Sequence, residues 1–415
     1  YRTALVGKAH FEPAFDPTFR WHENAMARAG STGPWRGFEH MELAMHGYFG
    51  RYHYCLWLAA NFPGDRRSFF PLLGNGGLNA EGGGDTGAPE AKYNPMPREH
   101  YHTDWVADRT IAFLDSLAAD EDWFVWMSFP DPHHPWDPPA AEARRIPWRD
   151  LDLPPGHPGS RDQIVAVLRQ KPHHWLDWYE GRFDNMAGGP AHFVPCRMTD
   201  DQVREVNALT HVENELIDEA CGRVLGRIAA RGWEADTDVF FTTDHGELQG
   251  DFGLLFKGPY HVDALMRVPL VWRPAPSAGV APAEVPEPVG HLDLAPTFCR
   301  VAGVPVPDWM QGTPLPTAPG SGRERVLTEW DSQFAHNDIR LRSIHRDHFT
   351  CTAYEPSALY AGTEGELYDL REDPRQWRNL WDDPGYARLR SDLLADLYDN
   401  LPPARDPRLV VEAPA

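Results

Sequence analysis

WFVWMSFPDPHHPW, at residues 123–136, is the stretch that decides the fold. Its first seven residues are apolar apart from Ser128, and Pro130 ends the run. A short apolar run rich in aromatic residues predicts a β-strand that is buried on both faces. The strand leads directly into a loop in which His133 and His134 stand between prolines. Because ligands bind at the carboxyl ends of strands in open α/β sheets, this loop is a candidate site.

A second apolar run, residues 238–243, ends in a similar way, at Asp244-His245-Gly246-Glu247. Ahead of it, residues 200–231 carry apolar side chains mostly three and four positions apart, which predicts a long helix that Gly232 ends. Residues 110–117 repeat this pattern more weakly before the first run. A helix that feeds a buried strand is the unit of a parallel α/β sheet, so we expect an α/β fold.

The best domain boundary is the Pro/Gly-rich stretch at residues 314–322. Short strand-like runs at 325–330 and 348–352 and a helical pattern at 386–400 follow it, which predicts a small α+β domain. We therefore divide the chain into a large domain, residues 1–320, and a small C-terminal domain, residues 321–415. Residues 74–87 are too rich in Gly, Asn and Asp for regular structure and should form a surface loop.

Composition narrows the class of partner. The chain has 415 residues and a formal net charge of −22, which argues against nucleic acid and anionic membranes as partners. No run approaches the roughly 18 apolar residues of a membrane span. The five cysteines show neither a C-x-x-C pair nor zinc spacing, so we expect free, mostly buried thiols.

Four short clusters of polar residues follow predicted strands or lie shortly after one. They are Gly7-Lys8-Ala9-His10, the loop around His133, Asp244-His245, and Lys257 in a glycine-bounded turn. A rigid imidazole suits proton donation or contact with an oxyanion, and a fixed carboxylate–imidazole pair suits a metal ion. Taken singly, each cluster also fits a structural role, such as a surface lysine, a histidine packed on Trp136, or an Asx-turn.

The order of the clusters is more specific than any one of them. It resembles the G-K-x-H, H-x-P, D-H-G-E and K-G motifs of the type I sulfatase family, in the family's own sequence. The resemblance continues through residues 128–139, Arg267-Val268-Pro269-Leu270 and residues 291–297, and through Glu366-Leu367-Tyr368-Asp369-Leu370 to about residue 382.

This resemblance implies an alkaline-phosphatase-like sandwich, with a large mixed, mostly parallel sheet between helices and a smaller C-terminal α+β domain. It implies hydrolysis of small-molecule sulfate esters, with phosphonate or phosphate mono- or diesters as the alternative. The family's nucleophile is a formylglycine made from Cys or Ser within C/S-x-P-x-R, and a divalent metal ion activates it. Calcium is the first choice, and manganese is the alternative because His245 stands where many arylsulfatases have Asn.

The family's roles transfer to matching positions. Asp244 and His245 would bind the metal ion, and Lys8 and Lys257 would contact the sulfate or phosphate group, with Lys257 counted among the catalytic residues. His10 would lie near the nucleophile and help to break down the covalent intermediate.

The remaining roles concern two neighbouring histidines. Within H-x-P, the histidine two places before Pro135 is His133, which would assist the leaving group or contact an oxyanion. His134 is the fallback for this role and a second candidate for substrate binding.

The sequence departs from the family at its opening. No cysteine or serine begins C/S-x-P-x-R, and the paired acidic metal ligands of the family are absent. Both lie upstream of G-K-x-H in relatives, so we expect that an N-terminal segment is missing and that the 415-residue chain alone is inactive and poorly soluble. The rivals are a non-catalytic anion-binding homologue and, less well matched, a phosphoglycerate-mutase-like enzyme.

The leaving-group alcohol cannot be identified from the sequence. Several aromatic residues follow the first motif and could line a pocket, pack in the core, or form a homo-oligomer contact: Trp21, Trp35, Phe38, Tyr48, Tyr54 and Trp57.

Overall fold

The computed structural model describes residues 1–12, 21–46, 52–71, 82–183, 193–331 and 338–403. Tyr48 and residues 74–81 of the predicted surface loop lie outside these ranges, as do the last residues of the predicted C-terminal domain, 404–415. Within them the chain is an α/β protein with a separate C-terminal antiparallel sheet.

The large N-terminal part alternates strands and helices. Its elements are β1 (Arg2–Gly7), α1 (His22–Arg28), β2 (His40–Leu43), α2 (His53–Asn61), α3 (His102–Ser116), β3 (Trp123–Ser128), α4 (Arg161–Leu168), α5 (His174–Tyr179), α6 (Asp200–Ala230), β4 (Val239–Thr242), α7 (Asp263–Met266), β5 (Leu270–Arg273) and α8 (Leu294–Val301). Both predicted strands and the helix predicted at residues 200–231 are confirmed to within a few residues, whereas the pattern at 110–117 marks only the second half of α3, which begins at His102.

Strand β1 lies at the centre of a parallel sheet of order β2-β1-β3. Helices α3 and α6 pack on it through an apolar cluster that includes Ala4 and Phe113. Helix α6 begins with a capping box in which Thr199 and Gln202 satisfy each other's backbone N–H groups. The apolar face of α6 thus packs against the sheet whose carboxyl edge carries the loops.

Strands β4 and β5 form a second, antiparallel pair, which makes the arrangement of strands mixed. The prediction that the two apolar runs are buried on both faces is wrong. Trp126 of β3 is 43% exposed and Phe241 of β4 is 48% exposed. The physical reason is that each side chain projects from a face of its strand that the described residues cover only in part. Among the described residues, β3 pairs only with β1 and β4 only with β5, so each strand also has one unpaired edge.

The two sheets lie side by side. The ring of Phe298 on α8 contacts Phe124 of β3 at 5.3 Å and Phe240 of β4 at 5.0 Å between ring centroids. One aromatic side chain thus bridges the uncovered edges of both sheets.

The C-terminal part contains β6 (Arg325–Asp331), β7 (Arg340–Arg346), β8 (Phe349–Tyr354), β9 (Gly365–Asp369) and α9 (Ala387–Asn400). The strands form an antiparallel sheet in sequence order, and Leu393 and Leu397 of α9 pack against it. Tyr354 and Tyr360 share a core with Trp175 of the large part. The boundary near residue 320 stays a prediction. No helix among the described residues has the length and apolarity needed to cross a membrane.

Candidate active site

The four clusters meet in one place. Lys8 Nζ lies 3.0 Å from Asp244 Oδ2, and Lys257 Nζ lies 2.8 Å from His133 Nε2. The rings of His133 and His245 are 6.3 Å apart and join the two pairs. Residues from distant parts of the sequence, such as Lys8 and Asp244 at 236 positions apart, therefore form one site near the ends of β1, β3 and β4.

Glycine places Lys8. Gly7 ends β1 with φ of +109°, and a Cβ atom there would lie 1.6 Å from the carbonyl oxygen of Ser128. Only glycine permits this approach, which allows the Lys8 N–H to donate to Ser128 O at 2.9 Å. The chain then turns Lys8, whose exposure is 9%, towards Asp244.

Asp244 and His245 follow β4 directly. Desolvation alone would raise the pKa of Asp244, but the positive charge of Lys8 and then His245 outweigh it, so the pKa is well below its usual range. A Cβ at Gly246 would lie 1.9 Å from Ala264 O, which explains the glycine of the motif. His245 Nδ1–H donates to Gly246 O at 2.8 Å and leaves Nε2 towards Asp244.

Lys257 returns to the same place through a tight turn. Leu248 N–H donates to Phe256 O, and Gly250 N–H donates to Leu254 O, which folds the chain back beside Asp244. Burial lowers the pKa of Lys257, and the carboxylate of Glu247, 3.7 Å away, partly offsets this. A largely desolvated ammonium group at this position gains from any bound anion.

Three histidine rings stack in the site. His133 lies between His46 and His134, with ring centroids 4.1 Å from each and interplanar angles of 17° and 26°. Burial, and then the neighbouring positive charges, lower the pKa of both His133 and His46 well below the ordinary value. Both roles predicted for His133, assistance to the leaving group and contact with an oxyanion, remain open to it.

Sequence reasoning missed His46 and Glu90. His46 follows β2, a four-residue strand with no strong apolar run to reveal it. Glu90 precedes no predicted strand, yet it lies 2% exposed and hydrogen-bonds His134. For His46 the sequence offered one signal, a polar residue shortly after a strand. For Glu90 it offered none.

His10 lies on the exposed side of the same site. Its pKa is lowered to about 4, first by desolvation from the surrounding loops and then by the charge of Lys8. Charge interactions with Asp244, Lys257 and His245 place it within reach of the other clusters.

The described residues fit a metal ion only in part. Asp244 Oδ2 and His245 Nε2 are 3.5 Å apart, a separation suited to two ligands of one cation. Across the described residues, however, no group of three His, Cys, Asp or Glu side chains is arranged to hold a metal ion. The ammonium group of Lys8 also contacts Asp244. The described residues therefore supply only part of a metal site.

Two of the six aromatic residues that could line a pocket, pack in the core or form an oligomer contact belong to the core. Tyr54 is fully buried in a core cluster, and Trp57 packs against that cluster. All five cysteines are free, with Cys55 and Cys351 buried.

The sulfatase sequence profile matches residues 59–304, more than half of the chain. The chain belongs to the sulfatase family. A second profile, for the C-terminal region of N-sulphoglucosamine sulphohydrolase, matches residues 250–401 of this chain.

Curated relatives extend the match. The chain is 28% identical over 311 residues to an uncharacterized sulfatase of Escherichia coli (strain K12), covering 73% of this chain and 56% of the relative. It is 25% identical over 414 residues to a multifunctional alkaline phosphatase superfamily protein of Trinickia caryophylli, covering 94% of this chain and 75% of the relative. The chain thus spans little more than half of the first of these relatives.

Solved structures agree on the fold. The phosphonate monoester hydrolase of Agrobacterium radiobacter superposes with a TM-score of 0.72 at 22% identity, over 96% of this chain and 77% of that one. A phosphonate monoester hydrolase of Silicibacter pomeroyi gives 0.70 at 21% identity, over 97% of this chain and 78% of that one. The chain therefore has the alkaline-phosphatase-like fold that its motifs implied.

Proposed function

We propose that this sulfatase-family protein hydrolyses small-molecule sulfate esters, and that Lys8 and Lys257 hold the anionic group between them. The observation that carries the proposal is the convergence of these two lysines with His133 and the Asp244–His245 pair. The lysines come from opposite ends of the large part of the chain and have no structural need to meet.

The environment of the lysines suits a bound oxyanion. The side chain of Lys8 is 10% exposed and that of Lys257 is 22% exposed, in a protein whose net charge is −22. Preorganised charges in a partly water-excluded site stabilise charge that develops on ester oxygens. His133 and His10 would then assist the leaving group and the breakdown of an intermediate, as the family's motifs imply.

We further propose that turnover needs a nucleophile and acidic metal ligands that this sequence does not contain. Asp244 and His245 would supply two ligands of a divalent ion, calcium first and manganese second, and the ion would polarise the ester and lower the pKa of the nucleophile. Among the described residues β3 and β4 each have an unpaired edge, at which a further strand could pair, and this supports the proposal.

Phosphonate and phosphate esters are the second candidate. The relative that covers the largest share of the chain among those described above is a multifunctional member of the alkaline phosphatase superfamily. Sulfate and phosphonate monoesters present similar tetrahedral oxyanions, so one pair of lysines can serve both.

The test has two stages. Calorimetric titration of the present chain with inorganic sulfate and phosphate should show binding that Lys8→Ala and Lys257→Ala abolish. Arg149→Ala, a substitution of an exposed cation remote from these contacts, should leave binding unchanged.

In the second stage, the chain is extended at its N-terminus with a segment that carries C/S-x-P-x-R and an acidic pair, and is produced with a formylglycine-generating enzyme. Hydrolysis of an aryl sulfate or an aryl phosphonate monoester should appear only in the extended protein. Clear multiple turnover by the present chain would refute the need for an added nucleophile. Absence of anion binding at both lysines would refute the site itself.

A further inference from the structure

We propose that Glu90 is a positioning residue of the site, which acts through His134 to fix the tautomer of His133 and the lone pair that His133 offers to Lys257. The proposal concerns the same site as the function proposed above and rests on that function only for the claim that the site binds an anion. The geometry itself involves no substrate.

Three contacts and the covalent frame of His134 link Glu90 to Lys257. His134 Nδ1–H donates to Glu90 Oε2 in a buried contact. The carbonyl oxygen of His134 accepts from His133 Nδ1 at 2.5 Å, and Lys257 Nζ lies 2.8 Å from His133 Nε2. By holding the ring of His134, Glu90 therefore holds the residue whose carbonyl oxygen orients His133.

Donor and acceptor rules give each link a direction. A carbonyl oxygen can only accept, so the proton of a neutral His133 must be on Nδ1. Nε2 then carries the lone pair and accepts from the ammonium group of Lys257. Whether the second nitrogen carries a proton is set by the hydrogen bond of the first, which is the usual way that proteins select a histidine tautomer.

The burial of the pair shows that the contact is not a surface accident. The side chains of His134 and Glu90 are 6% and 3% exposed. A carboxylate at this depth needs a partner, and the imidazole of His134 is the partner of Glu90 Oε2. Phe256, the residue before Lys257, packs edge-on against the His134 ring at 4.7 Å and closes the other side.

The backbone of Glu90 supports the same conclusion. Its φ is +56°, in the left-handed region that residues other than glycine rarely adopt. Such conformations cost of order 1–3 kcal/mol and persist where the surroundings hold them in place. Here Glu90 O accepts from Trp136 N–H at 2.8 Å, so both the backbone and the side chain of Glu90 grip the loop that carries His133.

The test reads the tautomer directly in the present chain. Two-bond ¹H–¹⁵N correlation spectra of histidine-labelled protein should show His133 protonated on Nδ1, with its signals assigned by their loss in His133→Gln. Glu90→Ala should give a mixture of tautomers and weaken binding of inorganic sulfate about tenfold, the scale seen when a partner that orients a binding group is removed. Glu90→Gln keeps an acceptor for His134 and should restore both properties.

Two further variants locate the effect. Glu205 is 1% exposed and fixes the same segment through Asp85 N, Thr86 N and Tyr93 Oη, but it touches no imidazole. Glu205→Gln should therefore leave the His133 tautomer unchanged. His134→Phe should reproduce Glu90→Ala, and the double variant should be no worse than either one, because both substitutions remove the same link.

The outcomes separate the two proposals. An unchanged His133 tautomer in Glu90→Ala, or in His134→Phe where Glu90→Ala does not fold, would overturn the role of Glu90. The intended tautomer in a protein that binds neither sulfate nor phosphate would uphold the role of Glu90 and reject the proposed function. An equal effect of Glu205→Gln would show general loosening of the segment and would also overturn the proposal.

Discussion

Lys257 Nζ lies 2.8 Å from His133 Nε2, although 124 residues separate the two in the sequence. A lysine that donates to the imidazole lone pair keeps His133 uncharged and keeps its own ammonium group close to the site. The contact therefore places a cationic group and a neutral imidazole side by side in the site.

Removal of Lys257 is the first prediction. In an enzyme restored to turnover, Lys257→Ala should reduce kcat/KM by an amount equivalent to roughly 2–4 kcal/mol of transition-state stabilisation. Steady-state kinetics on an aryl sulfate measure this loss. Lys92→Ala is the matched control, because Lys92 takes no part in the site contacts described above. A change below twofold would mean that Lys257 is a bystander.

Metal binding by the present chain is the second prediction. Two protein ligands leave most of the coordination sphere to water, so Ca²⁺ and Mn²⁺ should bind weakly, with dissociation constants in the millimolar range, about 10⁻³ M or higher. Isothermal titration measures the affinity, and Asp244→Asn should abolish it. Addition of an N-terminal segment with an acidic pair should tighten it. Micromolar binding by the unextended chain would contradict the view that the site is half built.

A cluster of buried acids lies beneath the His133 loop and leads to the third prediction. Asp131, Asp137 and Glu213 are each at most 5% exposed, and Tyr101 Oη lies 3.4 Å from Asp131 and 3.3 Å from Asp137. Burial raises the pKa of Asp131 to about 7 and raises the pKa values of Asp137 and Glu213 well above the usual range.

Groups whose pKa is higher in the folded than in the unfolded state stabilise the protein at low pH. This stability is lost as pH rises from the unfolded value through the folded one, which for Asp131 is the window from about 4 to about 7. Within it each such group should lower the free energy of unfolding by about 1.4 kcal/mol per pH unit. Denaturant titrations at several pH values measure this dependence. The free energy of unfolding should fall less steeply with pH in Asp131→Asn than in wild type, whereas the exposed Asp120→Asn should match wild type. Equal slopes for all three proteins would contradict the raised pKa.

The fourth prediction concerns a buried ion pair between the two parts of the chain. The side chain of Lys171 is 0% exposed and lies 3.5 Å from Glu366 of β9, with its ammonium group over the rings of Trp175, Phe252 and Tyr368. Lys171→Met leaves a buried carboxylate without its cation and should cost about 3–5 kcal/mol. Thermal and denaturant unfolding measure this. Lys171→Met combined with Glu366→Gln should cost less than Lys171→Met alone, and a fully additive double variant would show that the two charges do not interact.

Association through the uncovered edges of β3 and β4 is the fifth prediction. Trp126 and Phe241 should promote self-association of the present chain, because unpaired strands with exposed apolar side chains template further pairing. Trp126→Thr with Phe241→Thr should lower the aggregated fraction in sedimentation velocity. Trp309 is 76% exposed but lies outside the strands, so Trp309→Thr should have no such effect. Equal improvement by Trp309→Thr would indicate nonspecific apolar association instead.

The sequence by itself determined the fold class, the family and most of the site. Strand β3, helix α6 and the loops after β1, β3 and β4 are encoded in local periodicity and in motifs whose glycines have fixed roles. Local pattern suffices there because a buried apolar run or a helical stripe constrains each segment before any distant contact forms.

The tertiary structure alone decided which side chains meet and how they are charged. Nothing local marks Glu90, since its role depends on reaching His134 across 44 residues and on a backbone conformation that its neighbours hold in place. His46 likewise acquires its position by stacking on a loop from another strand. Burial, pairing and hydrogen-bond direction are properties of the assembled site, because each depends on groups that only folding brings within a few ångströms.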